Sequence, residues 1–443
     1  MLSQKFIPSL FSNQHPNVMV KQIIFIVILL ATLGIFSYTL LRLRRIFKLT
    51  RSWHPINYPE RLKRLFIIGI GQSRILRKPL VGFMHALVFW GFMVITIGSM
   101  EMVIDGITGL ERSFQGLGGF YTLIIFTGDI FAWLILILIA AFIARRLWLA
   151  IPRFKGVEMK KRSKTDAYLA LSIILLLMIS LIGINISYNQ ATNEEFAYLF
   201  PLSGALSFLI PVESAYVLHE IFWWMHILLI FIFANMLPYS KHFHVFTSLP
   251  NVFLSRLEPL GKMDHMPEIE KEVRLMLDPG AVVESTDAAP ARFGVKDATD
   301  LTWKSYLDSL TCTECGRCTA VCPANQTGKL LSPRKIVMDV RARMNEIVAL
   351  PFHQAQEANS KSLLRDWITE EELWACTTCN ACARECPVNI NQPSIILSMR
   401  RYLVMEESAV PNSLATMLSN IENNGAPWQY PASERESWMN NIN

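Results

Sequence analysis

Outside two short runs the chain has no cysteine at all, which excludes the disulfide framework of a small secreted domain. It also lacks a flavin fingerprint, and no segment carries the signature of a pocket for a soluble substrate. Acids are nearly missing from two stretches. Between Arg42 and Lys78 eleven Lys or Arg stand against Glu60 alone, and between Arg145 and Lys164 eight stand against Glu158. One protease-like string fails on spacing: the histidines of HEIFWWMH (219–226) are seven apart, whereas an HExxH zinc site needs them one helical turn apart.

What is present is concentrated. All eight cysteines fall in Cys312-x2-Cys315-x2-Cys318-x3-Cys322-Pro323 and Cys376-x2-Cys379-x2-Cys382-x3-Cys386-Pro387. A third cysteine in each run and the trailing Cys-Pro mark the ligand pattern of paired [4Fe–4S] clusters. Three closely spaced thiolates wrap one loop round three irons, and the fourth, released by the proline, reaches across to the other cube. This three-plus-one rule predicts Cys312, Cys315, Cys318 and Cys386 on one cluster, and Cys376, Cys379, Cys382 and Cys322 on the other. A zinc ribbon uses isolated pairs and has neither feature. The chain is read as one that carries electrons.

Its 443 residues allow two or three domains. Five apolar stretches of spanning length precede residue 240: 21–41, 80–102, 121–143, 167–187 and 216–239. The first starts far from the N-terminus and has no small-residue cleavage site, so it reads as a span and not a signal peptide. Residues 202–211 are apolar but short, and read as re-entrant or interfacial. By the positive-inside rule the two basic loops are cytoplasmic. The other loops carry Glu101, Asp105 and Glu111, and Glu194, Glu195 and Glu213. The N-terminus is then outside and everything after residue 240 inside a prokaryotic cytoplasmic (inner) membrane. The formal charge of +6 is a topology signal and indicates no nucleic-acid partner.

The expected fold is an all-α membrane bundle of five transmembrane helices (1–245), followed by a linker or docking segment (246–300). A mainly α, two-cluster ferredoxin-like cytoplasmic domain (301–405) comes next, with helices at 333–347 and 361–375, and then a tail (406–443).

Five of the nine histidines stand out: His85 on the second span, and His219, His226, His242 and His244 on the fifth span and its inner end. On an unbroken helix His226 and His244 share a face about 27 Å apart, which suits two stacked haems and not one. His242 falls roughly opposite, and Pro238 between them is a place for a kink. His85 and His226 lie inside apolar segments, where an ionisable ring is costly and marks a functional candidate. Imidazole is a standard haem ligand. His219 and His242, near helix ends, read as polar groups satisfied by headgroups. Asp129 lies deep in the third span; it is either a quinone or proton-exchange group or a hydrogen-bond partner for a neighbouring helix. Glu220 and His219 are weaker quinone-site candidates.

The segment HILLIFIFANMLPYSKHFH (226–244) resembles the fifth helix of the nitrate reductase gamma subunit, a five-helix cytochrome b. That resemblance implies a low-spin haem b held by His85 and His244, with His226 as ligand to a second. Ten residues beyond His85, where that family has another histidine, this chain has Ile95, so the second haem is left open. Residues 312–336 (CTECGRCTAVCPANQTGKLLSPRKI), 373–390 (LWACTTCNACARECPVNI) and 399–405 (MRRYLVM) resemble the ferredoxin-like part of the D component of heterodisulfide reductase. Joined, the two halves are similar to the membrane-bound heterodisulfide-reductase-like oxidoreductases. Those proteins continue into a domain of Cys-Cys-Gly repeats, absent from 406–443. The resemblance therefore implies a separate cytoplasmic Cys-Cys-Gly-type iron–sulfur subunit, held by a tail bearing Trp428 and Trp438.

The function expected is that of an electron-transfer subunit of a quinone-linked oxidoreductase, with lipid and quinone as membrane partners. An oxidase-assembly or metal-reducing accessory protein without haem is the alternative, and the paired histidines argue against it.

Overall fold

The computed structural model describes residues 18–192, 196–278, 280, 292–349, 361–429 and 431–442; Glu194 and Glu195 lie outside them. Long apolar runs fold as helices because hydrocarbon offers no outside partner for backbone N–H and C=O groups. Five helices are long and apolar enough to cross a membrane: α1 (Val18–Leu49), α3 (Pro79–Thr108), α4 (Gly119–Trp148), α5 (Lys161–Ala191) and α6 (Val212–Met236). Between hydrocarbon-facing helices there is little hydrophobic drive, so close contact depends on small residues. Gly106 lets α3 approach the Phe25 ring of α1, Gly91 admits Phe131 of α4, and Gly183 of α5 admits Phe222 of α6; a Cβ at each would come within 2.7 Å of its neighbour. α5 lies at the centre, packed against α4 and α6. The outer face of α1, with Ile23, Val27 and Leu30, is exposed where lipid would lie.

The basic stretch between the first two spans is more than a loop. It contains α2 (Tyr58–Arg64), capped by Asn57 and continued by a π-helical turn over Leu65–Ile70. Arg61 donates to the carbonyls of Phe253 and Ser255, and Arg64 to those of Arg256 and Leu257. The opposite side leaves Leu62, Phe66 and Ile70 exposed. Residues 202–211 do not cross: a 3₁₀ helix over Gly204–Leu209 packs against α5, and the amides of Leu202 and Ser203 donate to Asp129.

The kink expected at Pro238 is a full break in the structure, so His226 and His244 do not share one helix. α6 stops at Met236, and two 3₁₀ turns, Leu237–Tyr239 and Lys241–Phe243, follow with extended Ser240 between them. Pro238 has no N–H to continue the ladder. The Ser240 side chain then accepts from the His242 amide. A separate helix, α7 (His244–Phe253), begins at the second histidine.

α7 leads into the soluble part, whose further helices are α8 (Pro267–Leu277), α9 (Trp303–Thr311), α10 (Arg317–Ala320), α11 (Pro323–Gln326) and α12 (Pro333–Ala349). After them come α13 (Leu363–Asp366), α14 (Glu370–Trp374), α15 (Ala381–Glu385), α16 (Gln392–Met405) and α17 (Asn412–Asn424). Among the described residues the only β pairings are two isolated bridges. The core is α12, whose Ile336, Val337, Val340 and Met344 are fully buried, packed against α9 and α16. The single helix expected over 361–375 is two short ones. Arg365 takes a left-handed φ of 74°, and Thr369 with Glu372 forms a capping box that starts a new helix.

The soluble part is seated on the end of the bundle that carries the basic loops. Arg334, 1% exposed, donates to Glu158 and to the carbonyls of Arg153 (2.6 Å) and Lys155 (3.0 Å) in the loop after α4. Asn251 of α7 bonds Asp308 of α9 and the carbonyl of Val388, both at 2.9 Å. Arg51, just past α1, pairs through its backbone with Leu301 and Trp303.

Candidate cofactor sites

Each cysteine run is bent by two left-handed residues at matching positions. Glu314 (φ 58°) and Gly316 (φ 72°) serve the first run, Thr378 (φ 55°) and Asn380 (φ 60°) the second. After each pair a short helix carries the third cysteine, Cys318 on α10 and Cys382 on α15. Gly316 has a further reason to lack a side chain: a Cβ there would lie 2.4 Å from the Arg153 carbonyl oxygen of the membrane part.

The thiols gather in two groups drawn from both runs. Cys322, from the first run, lines one small cavity with Cys376, Cys379 and Cys382 from the second. Burial pushes the Cys382 thiol up to about 12, and Cys376, Cys322 and Cys379 add to the rise. Burial likewise takes Cys386 to about 12, with Cys315 and Cys312 of the first run contributing. Cys318 is raised by burial, then by Cys315, Cys312 and Cys386, and also feels Cys382, so the two groups adjoin. All eight thiols are free. No group of three or more His, Cys, Asp or Glu among the described residues is gathered round a single metal ion. Cys312, Cys318 and Cys386 are buried, whereas Cys379 is exposed.

On the bundle side, Arg74 donates to the carbonyls of Ala383 (3.2 Å) and Cys386 (3.1 Å), and Arg317 donates back to the Arg74 carbonyl. A buried network ties the first run to the turn before α7. Lys241 pairs with Glu314 at 3.5 Å. Glu314 also bonds Ser163 and Arg341, and Arg341 donates to the Cys312 carbonyl at 3.1 Å. The Lys241 carbonyl in turn lies 3.3 Å from Nδ1 of His244. Burial would raise the Glu314 carboxyl, but Arg341 and Lys241 outweigh it and hold the group below the usual carboxylate range.

Of the histidines, the structure brings His85 and His244 together, with ring centroids 6.4 Å apart and planes tilted by 34°. Metal–imidazole bonds of about 2 Å on either side of one ion, with each ring centre roughly 1 Å further out, require a separation of about 6 Å. Nδ1 of His85 is buried without a hydrogen-bond partner, so this ring is not a satisfied core histidine. His242 stands beside the pair, its ring centroid 6.1 Å from that of His244, but its Nδ1 is taken, 3.0 Å from the Ser240 hydroxyl and 3.7 Å from Asp166. His226 is buried on α6, its Nδ1 2.9 Å from the Ser180 hydroxyl and 3.0 Å from the Leu177 carbonyl. His219 and Ile95 instead line a large cavity at the far end of the bundle.

Asp129 and Glu220 line that cavity too, but both are committed. Asp129 accepts from Asn185 (3.0 Å), from the amides of Leu202 (2.9 Å) and Ser203 (3.0 Å), and from the Ser203 hydroxyl. Glu220 holds Lys21 through both oxygens at 2.7 Å. Sequence reasoning singled out Asp129 by its depth in the span and Glu220 by its place beside His219; depth alone cannot separate a reactive acid from one that, like Asp129, accepts four bonds. It passed over Arg112, which takes a left-handed φ of 55°, lies over the Tyr188 ring at 4.0 Å and lines the cavity.

A bundle of spanning-length helices fused to a dicluster iron–sulfur domain defines the class: a membrane-anchored iron–sulfur protein. The family model of the 4Fe-4S dicluster domain matches residues 304–387. Among curated proteins, the chain is 30% identical to the probable iron-sulfur-binding oxidoreductase FadF of Bacillus subtilis, over 86% of this chain and 55% of that protein. It is 28% identical to the EtfAB:quinone oxidoreductase of Syntrophomonas wolfei, over 86% of this chain and 54% of the relative. It is also 35% identical to the C component of a ferredoxin/F(420)H(2)-dependent CoB-CoM heterodisulfide reductase of Methanosarcina acetivorans, over 24% of this chain and 52% of that component. This likeness is to a C component of heterodisulfide reductase, where the sequence motifs point to the D component. The chain spans about half the length of the curated relatives it matches. No solved structure matches it.

Proposed function

We propose that the chain is the membrane electron-transfer subunit of an oxidoreductase, exchanging electrons between the quinone pool and a cytoplasmic iron–sulfur partner with haem b and two [4Fe–4S] clusters. The observation that carries this reading is the pairing of His85 with His244 at one metal's width, joined by the Lys241–Glu314 network to the first cysteine run. The names of the relatives support it, since one is a quinone oxidoreductase and another an iron-sulfur-binding oxidoreductase. When bound, the haem and clusters supply one-electron redox chemistry.

The side chains hold these groups and exclude water. His85 and His244 are the ligands for one haem b, and His226 remains the candidate for a second. Cys312, Cys315, Cys318 and Cys386 hold the cluster next to the bundle; Cys376, Cys379, Cys382 and Cys322 hold the outer one. Exposed Cys379 makes the outer group the point of exchange with a partner, which we take to be a separate Cys-Cys-Gly-type iron–sulfur subunit. The basic loops and the cluster domain share one end of the bundle, which supports a cytoplasmic position for that domain in a prokaryotic inner membrane.

The test is spectroscopic. His85→Ala and His244→Ala should each remove the same low-spin haem signal, because loss of either imidazole leaves the iron five-coordinate or the haem unbound. His242→Ala should leave it intact. Purified chain without haem would remove the cytochrome part of the reading and favour the accessory-protein alternative.

A further inference from the structure

One space in the bundle is not used by the cofactor-holding side chains. At the end away from the cluster domain, a cavity of about 1390 Å³ opens between α1, α3, α4, α5 and α6. Its inner end is apolar, with Ile95, Gly98 and Leu181, while aromatic and charged groups surround the outer end, among them Tyr216, Trp223 and Trp224. Small-molecule pockets run to about 300–1,000 Å³. A larger one, apolar at depth and polar at the rim, suits a ring with polar oxygens and an apolar tail.

Five acids line it, and four are engaged. Asp129 and Glu220 are held as described above. Asp105 accepts from the amides of Arg112 and Ser113, each at 3.0 Å. Glu101 accepts from the Phe114 amide at 2.9 Å. Glu111 alone makes no hydrogen bond or ion pair among the described residues, although Arg112 and Lys21 lie within electrostatic reach. Arg112 is itself occupied, donating to the Tyr121 hydroxyl at 2.9 Å. Burial raises the Glu111 carboxyl to about 7, Arg112 and Lys21 pull against that rise, and Glu220 and Asp105 add to it. His219 and Tyr216 of α6 and Tyr188 of α5 are the other titratable groups sharing the cavity.

Resting on the quinone reading above, we propose that Glu111 is the proton-exchanging carboxyl of a quinone site in this cavity, in place of Asp129 and Glu220. In the reducing direction a quinone takes up two electrons from a one-electron carrier and two protons. Each proton passes from the Glu111 carboxyl to a quinone oxygen, and water at the outer face restores it. In the oxidising direction the Glu111 carboxylate takes the same protons from quinol while the electrons leave to that carrier. A group poised near neutrality serves both directions.

The experiment uses the full chain in detergent. A fluorescent hydroxyquinoline N-oxide, a quinone analogue, reports binding by quenching, and a short-chain quinol reports proton-coupled reduction of the chain's redox centres by absorbance. With the wild type, reduction should quicken as pH rises through about 7. Glu111→Gln should slow it about 100-fold and flatten that rise, while analogue affinity changes less than about twofold. Glu111→Asp should restore the pH dependence. If Glu111→Gln keeps the wild-type profile with the analogue bound, Glu111 is not the proton group and the quinone site stands. Loss of analogue binding in Glu111→Gln also overturns the proton role, because it makes the residue a binding group. A wild type that does not bind the analogue overturns both readings.

Discussion

Glu314 is two residues into the first cysteine run, yet its side chain faces the membrane part. It is 7% exposed and its partner Lys241 is equally buried. Removing one partner of a buried pair leaves the other charge uncompensated, at about 3–5 kcal/mol. Glu314→Ala should therefore destabilise the chain by roughly that amount in chemical unfolding, while Glu314→Gln, whose one amide oxygen still accepts from Arg341, should cost less. The sign with pH follows from its depressed carboxyl. The contribution is fully present above the ordinary carboxylate value of 4.5 and is lost as pH falls through the lower folded value. Unfolding midpoints measured from neutral to acid pH should fall in the wild type and stay flatter in Glu314→Ala. At this scale the cysteine pattern was legible as that of a dicluster domain, since ligand spacing is local. The Glu314 pairing was not, because its partner is 73 positions away and nothing in either neighbourhood marks it.

Among elements, the five spans were legible because hydrocarbon demands length and apolarity, both of which the sequence displays. Their interruption at Pro238 was legible only as a place for a kink, although Pro238 and Ser240 together mark a full stop. The false helix over 361–375 had its correction in plain sight: Thr369 followed three residues later by Glu372 is a start signal. Outside the core, α17 and the turns after it leave Leu418, Ile421, Trp428 and Trp438 exposed. Tryptophan is enriched at binding hot spots. Deleting residues 411–443 should release a co-purifying iron–sulfur subunit while haem and cluster contents stay unchanged. Retention of that subunit by the shortened chain, read by mass spectrometry, would remove the tail from the interface.

For the molecule as a whole, the seat of the cluster domain on the bundle was beyond sequence reasoning. It rests on arginines that donate to backbone carbonyls, as Arg334 and Arg74 do, and a carbonyl has no signature in the sequence. The two groups of thiols differ in exposure at one place: Cys379 is exposed, whereas Cys312, Cys318, Cys322, Cys382 and Cys386 are buried and Cys315 and Cys376 are half-buried. Thiolates that solvent reaches are the ones oxidised first. On the cluster ligation proposed above, molecular oxygen should thus destroy the two cubes in sequence and not together. Brief aeration of the anaerobically purified chain should remove the cluster that Cys379 helps hold, halving the iron outside haem, before the cube on Cys386 decays. Paramagnetic resonance of the reduced protein should then change from a coupled pair to one isolated cluster, leaving a defined half-loaded form; simultaneous loss of both would contradict the burial order.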